Sequence, residues 1–472
     1  MGRKRKNLVF ENVKITDAGA KGKSIAKAPD GKIIFVTNAV PGDVVDIQTK
    51  KKRKSYYEGT AIDFISLSEK RTNPKCEHFG ICGGCKWQHM DYQYQLYYKQ
   101  KEIVNNLERI GHVNLPKIDT ILGSENTYFY RNKMEFSFSN NRWLTLDEIK
   151  STENIANKNA LGFHMPGMWD KILDLNKCYL QPDPSNAIRD SVKSFAIENN
   201  ISFYDIKNQT GMLRTLMIRT SSNGEVMVLL QFFEDQKNER ELILDFLKRN
   251  FPEITSLLFV INKKGNDTIY DQDVICYSGR DYITEEMEGL HFKINAKSFY
   301  QTNSAQAYHL YKVTRSFADL SGNEIVYDLY TGTGTIAQFI AKYAKKVIGI
   351  ESVPEAIEDA KINAENNNIT NTSFFAGDMK TIFTDNFIAS HGSPDVIITD
   401  PPRDGMHKDV IAQLIKIKAQ KIVYVSCNSA TQARDLALLD STYKVERVQP
   451  VDMFPQTFHC ENVVLLKLRD ND

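Results

Sequence analysis

The chain reads as a multidomain protein: a small N-terminal β-barrel of the OB type, a central α+β domain, and a C-terminal α/β domain of Rossmann-like architecture. Three observations predict this. At 472 residues the chain is longer than one domain ordinarily holds. Its first segment strings together short β-branched runs broken by turn signals. From about residue 291, apolar strands alternate with helices, the mark of a parallel sheet. The expected boundaries are 1–68, 69–290 and 291–472, with 92–125 able to pack on the last domain.

Hydrophobic residues make up 42% and charged residues 25% of the chain, which suits an ordinary buried core. No apolar run approaches the roughly eighteen residues of a membrane span. Met1–Phe10 is basic with no apolar stretch behind it, unlike a secretory signal, so a cytoplasmic protein is expected. The net charge of +1 hides an asymmetry: residues 1–58 carry 14 Lys or Arg against 6 Asp or Glu, a surplus of +8. Such a concentration suggests a polyanion-binding module, although for Arg3–Lys6 a solvated tail is the simpler reading.

In the first segment, Val9–Ile15, Ile33–Val36, Val44–Lys50 and Gly59–Ile65 read as strands, separated by Asp30-Gly31 and Pro41-Gly42-Asp43. Spaced this closely, they suggest a closed barrel. The basic run Lys50, Lys51, Lys52, Arg53, Lys54, followed by Tyr56 and Tyr57, offers phosphate attraction beside stacking surfaces, which suits single-stranded nucleic acid. A charged hairpin tip would have the same composition.

The central segment opens with Cys76, Cys82 and Cys85, and Cys178 lies downstream. Seven cysteines, odd in number and clustered, argue for metal binding or catalysis rather than a disulfide framework. A helix is expected over Tyr92–Ile110, then strands at Glu135–Ser139, Leu216–Thr220, Val226–Phe233 and Leu257–Asn262. Cys276 and Cys460 read as core residues.

In the C-terminal segment, Ile325–Leu329, Val347–Glu351, Ser373–Ala376, Val396–Thr399 and Ile422–Ser426 read as buried strands. Asp328-Leu329-Tyr330-Thr331-Gly332-Thr333-Gly334 lies where the first gives way to a helix, so its glycines permit close backbone approach to a ligand. Glu351 ends the next strand, placed to take both ribose hydroxyls, and Asp378 follows the third, placed to accept from an adenine amino group. Asp400-Pro401-Pro402-Arg403 follows the fourth. Such a tetrad marks methyltransferases acting on planar nitrogen or base substrates, and the absence of a P-loop lysine argues against a nucleoside triphosphatase. The spacing favours S-adenosylmethionine over a dinucleotide.

Cys427 closes the fifth strand. A thiolate there could add to C6 of a uracil and turn C5 into a nucleophile for the methyl group. A base must then remove the C5 proton, for which Glu461 is the candidate and His459 a rival.

Asp400-Pro401-Pro402-Arg403-Asp404-Gly405, with Ile422-x-Tyr424-x-Ser426-Cys427-Asn428-x-x-Thr431 downstream, resembles the first signature of the RNA 5-methyluridine methyltransferases. Asp452-x-Phe454-Pro455-Gln456-Thr457-x-His459-x-Glu461 resembles the second. The resemblance implies Cys427 as nucleophile and Glu461 as proton acceptor. It implies cofactor contacts from Gln301, Tyr330, Glu351 and Asp378, with Asp400 at the methyl-transfer site; Gln301 enters only through the match of Phe299-x-Gln301-x-Asn303 to a family motif. Residues 1–68 resemble the RNA-binding TRAM domain. Cys76, Cys82, Cys85 and Cys178 match the family's four [4Fe-4S] ligands, although their spacing by itself allows zinc. Arg131, in Tyr130-Arg131-Asn132-Lys133, matches a segment near the RNA.

The barrel and the cysteines together resemble the 23S ribosomal RNA branch, on the expectation that the tRNA branch lacks both. The alternatives are a tRNA uridine C5-methyltransferase and a non-catalytic RNA-binding ribosome-assembly factor. The second has no need of both Cys427 and Glu461. Neither a membrane nor an obligatory protein partner is implied. Ser429, Cys460 and Thr335 depart from the residues common in the family.

Overall fold

The computed structural model describes residues 8–151 and 157–470, with the side chains of Lys51, Lys52, Leu146 and Asp147 outside that description. Arg3–Lys6 also lie outside it. Among the described residues, five strands close the N-terminal barrel: Val9–Ala18, Ser24–Lys27, Ile33–Thr37, Val44–Lys52 and Tyr56–Ser66. Alternation places Ile34, Val36, Val45 and Ile47 inside. Ser24–Lys27 escaped the sequence reading because it is short and opens on a polar residue; Ser24 Oγ donates to Ala39 O at 2.6 Å. Asp43, buried at the barrel's corner, accepts Arg71 Nε at 2.8 Å and Nη2 at 2.7 Å, together with the amides of Val40 and Ser68.

One expectation fails here. Tyr57 is no stacking surface: its ring lies in the barrel core and its hydroxyl donates to Asp30 Oδ2 at 2.8 Å. Tyr56 packs edge-on against Phe35, 5.4 Å between centroids. Lys50, Arg53 and Lys54 are exposed around the hairpin.

The central sheet runs in the order Ile275–Gly279, Ile254–Ile261, Val226–Phe232, Leu213–Thr220, Lys133–Ser139, Ala160–Met165, Met168–Asp174. Helices Ser185–Glu198 and Lys237–Asn250 supply Ile188, Val192, Ile243, Leu244 and Leu247 to its core, and Phe195 stacks on Phe246 with centroids 4.1 Å apart. Cys276 is exposed, not buried as expected, because its edge strand is short and lies outside this core. Strands Tyr282–Met287 and Leu290–Asn295 form a hairpin that spans residue 291 and shares a core with the C-terminal sheet.

The C-terminal sheet has the order Thr372–Ala376, Lys346–Glu351, Ile325–Leu329, Val396–Thr399, Lys421–Ser426, Glu461–Leu468, Tyr443–Val451. The first five are parallel, Glu461–Leu468 runs antiparallel to them, and Tyr443–Val451 pairs antiparallel with it, so it points the same way as the first five. The chain steps outward from Ile325–Leu329 in one direction, then returns to Val396–Thr399 on its other side. This is a topological switch point, where such sheets open a crevice at their carboxyl edge. Apolar clusters cover both faces. The helix Tyr92–Asn106 continues as a wider turn, Leu107–Gly111, and packs on this domain: Ile103 and Leu107 join the core of Ala433 and Leu436, and Asn106 Nδ2 donates to Ser429 Oγ at 2.8 Å. No helix among the described residues is long and apolar enough to cross a membrane.

Candidate active site and a cysteine-lined cavity

Tyr330, Glu351, Asp378 and Asp400 follow or end four neighbouring parallel strands, so one sheet edge collects all four. Tyr330 adopts a left-handed φ of 64°, a strained conformation for an aromatic residue. Gly334, at φ 75°, has no room for a side chain: a Cβ would stand 2.9 Å from Ala360 and Phe374. Glu351 is oriented by its own strand end, accepting from Ser352 N at 2.7 Å, Val353 N at 3.0 Å and Gly332 N at 3.2 Å. Asp378 caps the next helix through Lys380 N at 2.9 Å. Asp328 is buried, accepts from Thr331 Oγ1 at 2.5 Å, and keeps its second oxygen unpartnered. Burial pushes its carboxyl up to about 7. An orphaned buried carboxylate beneath a glycine turn, with two further carboxylates at the same sheet edge, fits a polar adenosine-type cofactor. Gln301 sits on the loop before helix Ser304–Ala318, its carbonyl accepting from Asn132 Nδ2 at 2.9 Å, at the junction with the central domain.

Strand register brings Cys427 and Glu461 together. Lys421–Ser426 pairs antiparallel with Glu461–Leu468, and its last pair is Ser426 with Asn462. The next residues of the two chains are therefore Cys427 and Glu461. Gln432 locks this end: its Nε2 donates to Tyr424 O at 3.0 Å and Asn462 O at 3.2 Å, and its Oε1 accepts from Asn462 Nδ2 at 2.8 Å. Asn428 caps helix Ser429–Leu439 through Ala430 N at 3.1 Å, which leaves Cys427 between a strand end and a helix start.

Burial, then the charges of Glu461 and Asp400, push the Cys427 thiol up to about 11. Burial and Asp400 also hold Glu461 well above the ordinary carboxylate range. The Arg403 charge opposes both shifts. Its loop is pinned: Arg403 O accepts from Asn428 Nδ2 at 2.9 Å and Thr431 Oγ1 at 3.0 Å, and Met406 N donates to Asp435 Oδ2 at 2.8 Å. Gly405, at φ 77°, is required because a Cβ would lie 2.6 Å from Arg434 Nη2 and Asp435 Oδ2. Burial lowers His459 to about 4, so it is neutral near pH 7, with its ring against Phe458.

Several participants were not singled out from sequence. Arg403 lay inside a recognised tetrad without a role. Tyr311, buried on helix Ser304–Ala318, feels the charges of Asp400, Asp328 and Glu461, and only the fold brings it there. Phe299 is 68% exposed beside Gln301. Most of the second signature is structural. Lys99 and Asp452 form an ion pair of 2.7 Å with both side chains fully buried, and Tyr92 OH donates to Asp452 Oδ2 at 2.9 Å. Gln95 and Gln456 bond reciprocally at 3.0 Å.

Cys76, Cys82, Cys85 and Cys178 line one cavity of about 770 Å³, which Arg131 and Lys133 also line and which reaches Thr302, next to Gln301. Burial and the neighbouring thiols push Cys85 up to about 12. Asn176 N donates to His78 Nε2 at 3.0 Å, tying the loop of the first three cysteines to the segment of the fourth. Among the described residues, however, no group of three or more His, Cys, Asp or Glu side chains is placed to hold a metal ion. Arg131 and the Lys50–Lys54 run are separate features: the first borders this cavity, the second lies on the barrel hairpin.

Two family models match the chain: the TRAM domain over residues 10–62 and "tRNA (Uracil-5-)-methyltransferase" over 225–469. A protein of Bacteroides thetaiotaomicron called an uncharacterized RNA methyltransferase is 58% identical over 95% of this chain and all of its own. One of Porphyromonas gingivalis with the same description is 52% identical over 96% of this chain and 99% of its own. The crystal structure of Pyrococcus abyssi tRNA (uracil-54, C5)-methyltransferase with S-adenosyl-L-homocysteine superposes with a TM-score of 0.74 at 28% identity, covering 96% of this chain and 99% of that one. Barrel, switch-point crevice and paired thiol and carboxylate thus define an S-adenosylmethionine-dependent RNA methyltransferase. The chain belongs to the RNA 5-methyluridine methyltransferase family. One expectation needs correcting: a tRNA enzyme matches nearly the full length, barrel included, so the fused barrel does not separate ribosomal from transfer RNA enzymes.

Proposed function

We propose that this chain methylates C5 of a uridine in 23S rRNA through a covalent adduct between Cys427 and C6. The observation that supports it most is the register that sets Cys427 opposite Glu461. Cys427 adds to C6 as thiolate, with Arg403 offsetting the burial that keeps the thiol protonated. S-adenosylmethionine supplies the methyl group. Glu461 takes the C5 proton, for which a carboxylate held above its ordinary range is a competent base; the C5–H electron pair then forms the C5–C6 double bond and expels the thiolate. Gln301, Tyr330, Glu351 and Asp378 would hold the cofactor, with Asp400 beside the transferred methyl. The Lys50–Lys54 run, Arg131 and the exposed ring of Phe299 would meet the RNA.

For the four cysteines we propose a [4Fe-4S] cluster. Four thiols lining one cavity supply the donor set such a cluster takes. Bound there, it would crosslink the loop of Cys76–Cys85 to the Cys178 segment. The reading places the enzyme in the cytoplasm, with RNA as the partner it needs.

A second reading, tRNA as substrate, is favoured by the near full-length likeness to the Pyrococcus enzyme. Incubating the protein with S-adenosylmethionine and unmodified 23S rRNA or tRNA transcripts, then mapping 5-methyluridine, decides between them. Methylation of 23S transcripts alone is expected. Methylation of tRNA alone overturns the rRNA assignment, and methylation of neither overturns the activity.

A further inference from the structure

Beside the cysteine-lined cavity lies a surface that the chemistry does not use. Lys75 is exposed, and its Nζ stands 5.1 Å from the ring centroid of Tyr128 and 5.0 Å from those of Phe129 and Tyr179. Lys177 Nζ lies 5.4 Å from the Tyr179 ring. Phe129 is 38% exposed and has a left-handed φ of 54°. That conformation is rare for a bulky L-residue and costs about 1–3 kcal/mol. A fold that needed only its own core would bury this ring or place glycine here.

The patch is linked by backbone to the loop that carries Gln301. Phe129 N and Arg131 N donate to Tyr179 O and Leu180 O, both at 2.8 Å, forming a short ladder. One residue on, Asn132 grips the cofactor loop: its N donates to Thr302 O at 2.8 Å and its Nδ2 to Gln301 O. Asn132 is three Cα steps from Phe129, a reach of at most about 10 Å. A strand whose uridine enters the crevice would therefore pass the patch within a few nucleotides.

We propose that Phe129, Tyr128 and Tyr179, with Lys75 and Lys177, form a stacking platform for an unpaired base of the RNA strand that carries the target uridine. Flat rings offer sequence-tolerant stacking and the lysines meet the adjoining phosphates. The strained backbone holds Phe129 open toward solvent before RNA arrives. This inference rests on the RNA-methylating reading and adds to it a place where a neighbouring base is held.

The test uses the full chain with unmodified 23S rRNA and tRNA transcripts as probes. Phe129→Gly removes the ring and relieves the left-handed φ, so the fold should not lose stability. Its Kd for the RNA that the wild type binds should rise about tenfold, with cofactor affinity kept. Phe129→Tyr should restore RNA binding. Lys75→Met should weaken binding and lower the salt slope by about one. An unchanged Kd for Phe129→Gly, or a lowered melting temperature with weak binding, overturns the platform. If the wild type neither binds nor methylates either RNA, the underlying reading fails instead, and the two failures are thereby distinguished.

Discussion

The crevice at Cys427 and the cavity at Cys85 both hold half-buried cysteines whose thiols are driven up by desolvation, yet they are built in opposite ways. Cys427 is fixed by the register of two paired strands in one sheet, and its charged neighbours are carboxylates and an arginine. Cys85 is held by a loop against a distant segment, and its charged neighbours are other thiols. On the proposed reading, this difference suits one residue type to two roles. A lone thiol beside a base and a cation is equipped for addition and release, whereas thiols facing one another are equipped to be deprotonated together by a bound cationic group.

The largest effect expected from breaking this contrast is at Cys427. Cys427→Ala should lower methyl transfer by about four orders of magnitude or more, read as labelled methyl incorporation, while RNA binding persists. Residual turnover near the wild-type rate would sink the covalent route. Glu461→Gln should cost about 10²–10⁴ in turnover and let an RNA–protein adduct accumulate on denaturing gels; a normal rate without adduct would assign the base elsewhere.

Cys85→Ser acts on the other region. Anaerobically purified wild-type protein should carry close to four irons per chain; the variant should lose them and melt at a lower temperature, and an iron-free wild type would refute the cluster. Arg403→Gln should lower kcat/KM for RNA about tenfold at neutral pH, since charge stabilisation of this kind is commonly worth that much or more. In the proposed reaction Cys427 and Glu461 both act deprotonated, and both sit above their ordinary values, so the wild-type rate should climb with pH across neutrality. Removing the guanidinium raises both further and moves that limb to higher pH. A limb that stays in place would deny Arg403 its electrostatic role.

Much of the fold was legible because it is written in local pattern. Ile325–Leu329 and Val396–Thr399 appear where the apolar runs predicted them, and β-branched residues mark most of the barrel. What local pattern could not show depends on distant partners. Tyr57 looked available for stacking until barrel closure buried it against Asp30. Cys276 looked like core until its strand fell at a sheet edge. In the second signature, local pattern assigned a role to Glu461, with His459 as a rival, and none to Asp452 or Gln456, which serve a helix more than 350 residues earlier in the chain.

The sequence by itself determined the domain classes, the glycine turn, and the two signatures that hold Cys427 and Glu461, since each is a property of neighbouring residues. Tertiary structure alone decided that this thiol faces that carboxylate, that Arg403 and Tyr311 join them, and that four cysteines from two segments share a cavity. Register, burial and charge proximity are relations between segments far apart in the chain, and no local pattern carries them.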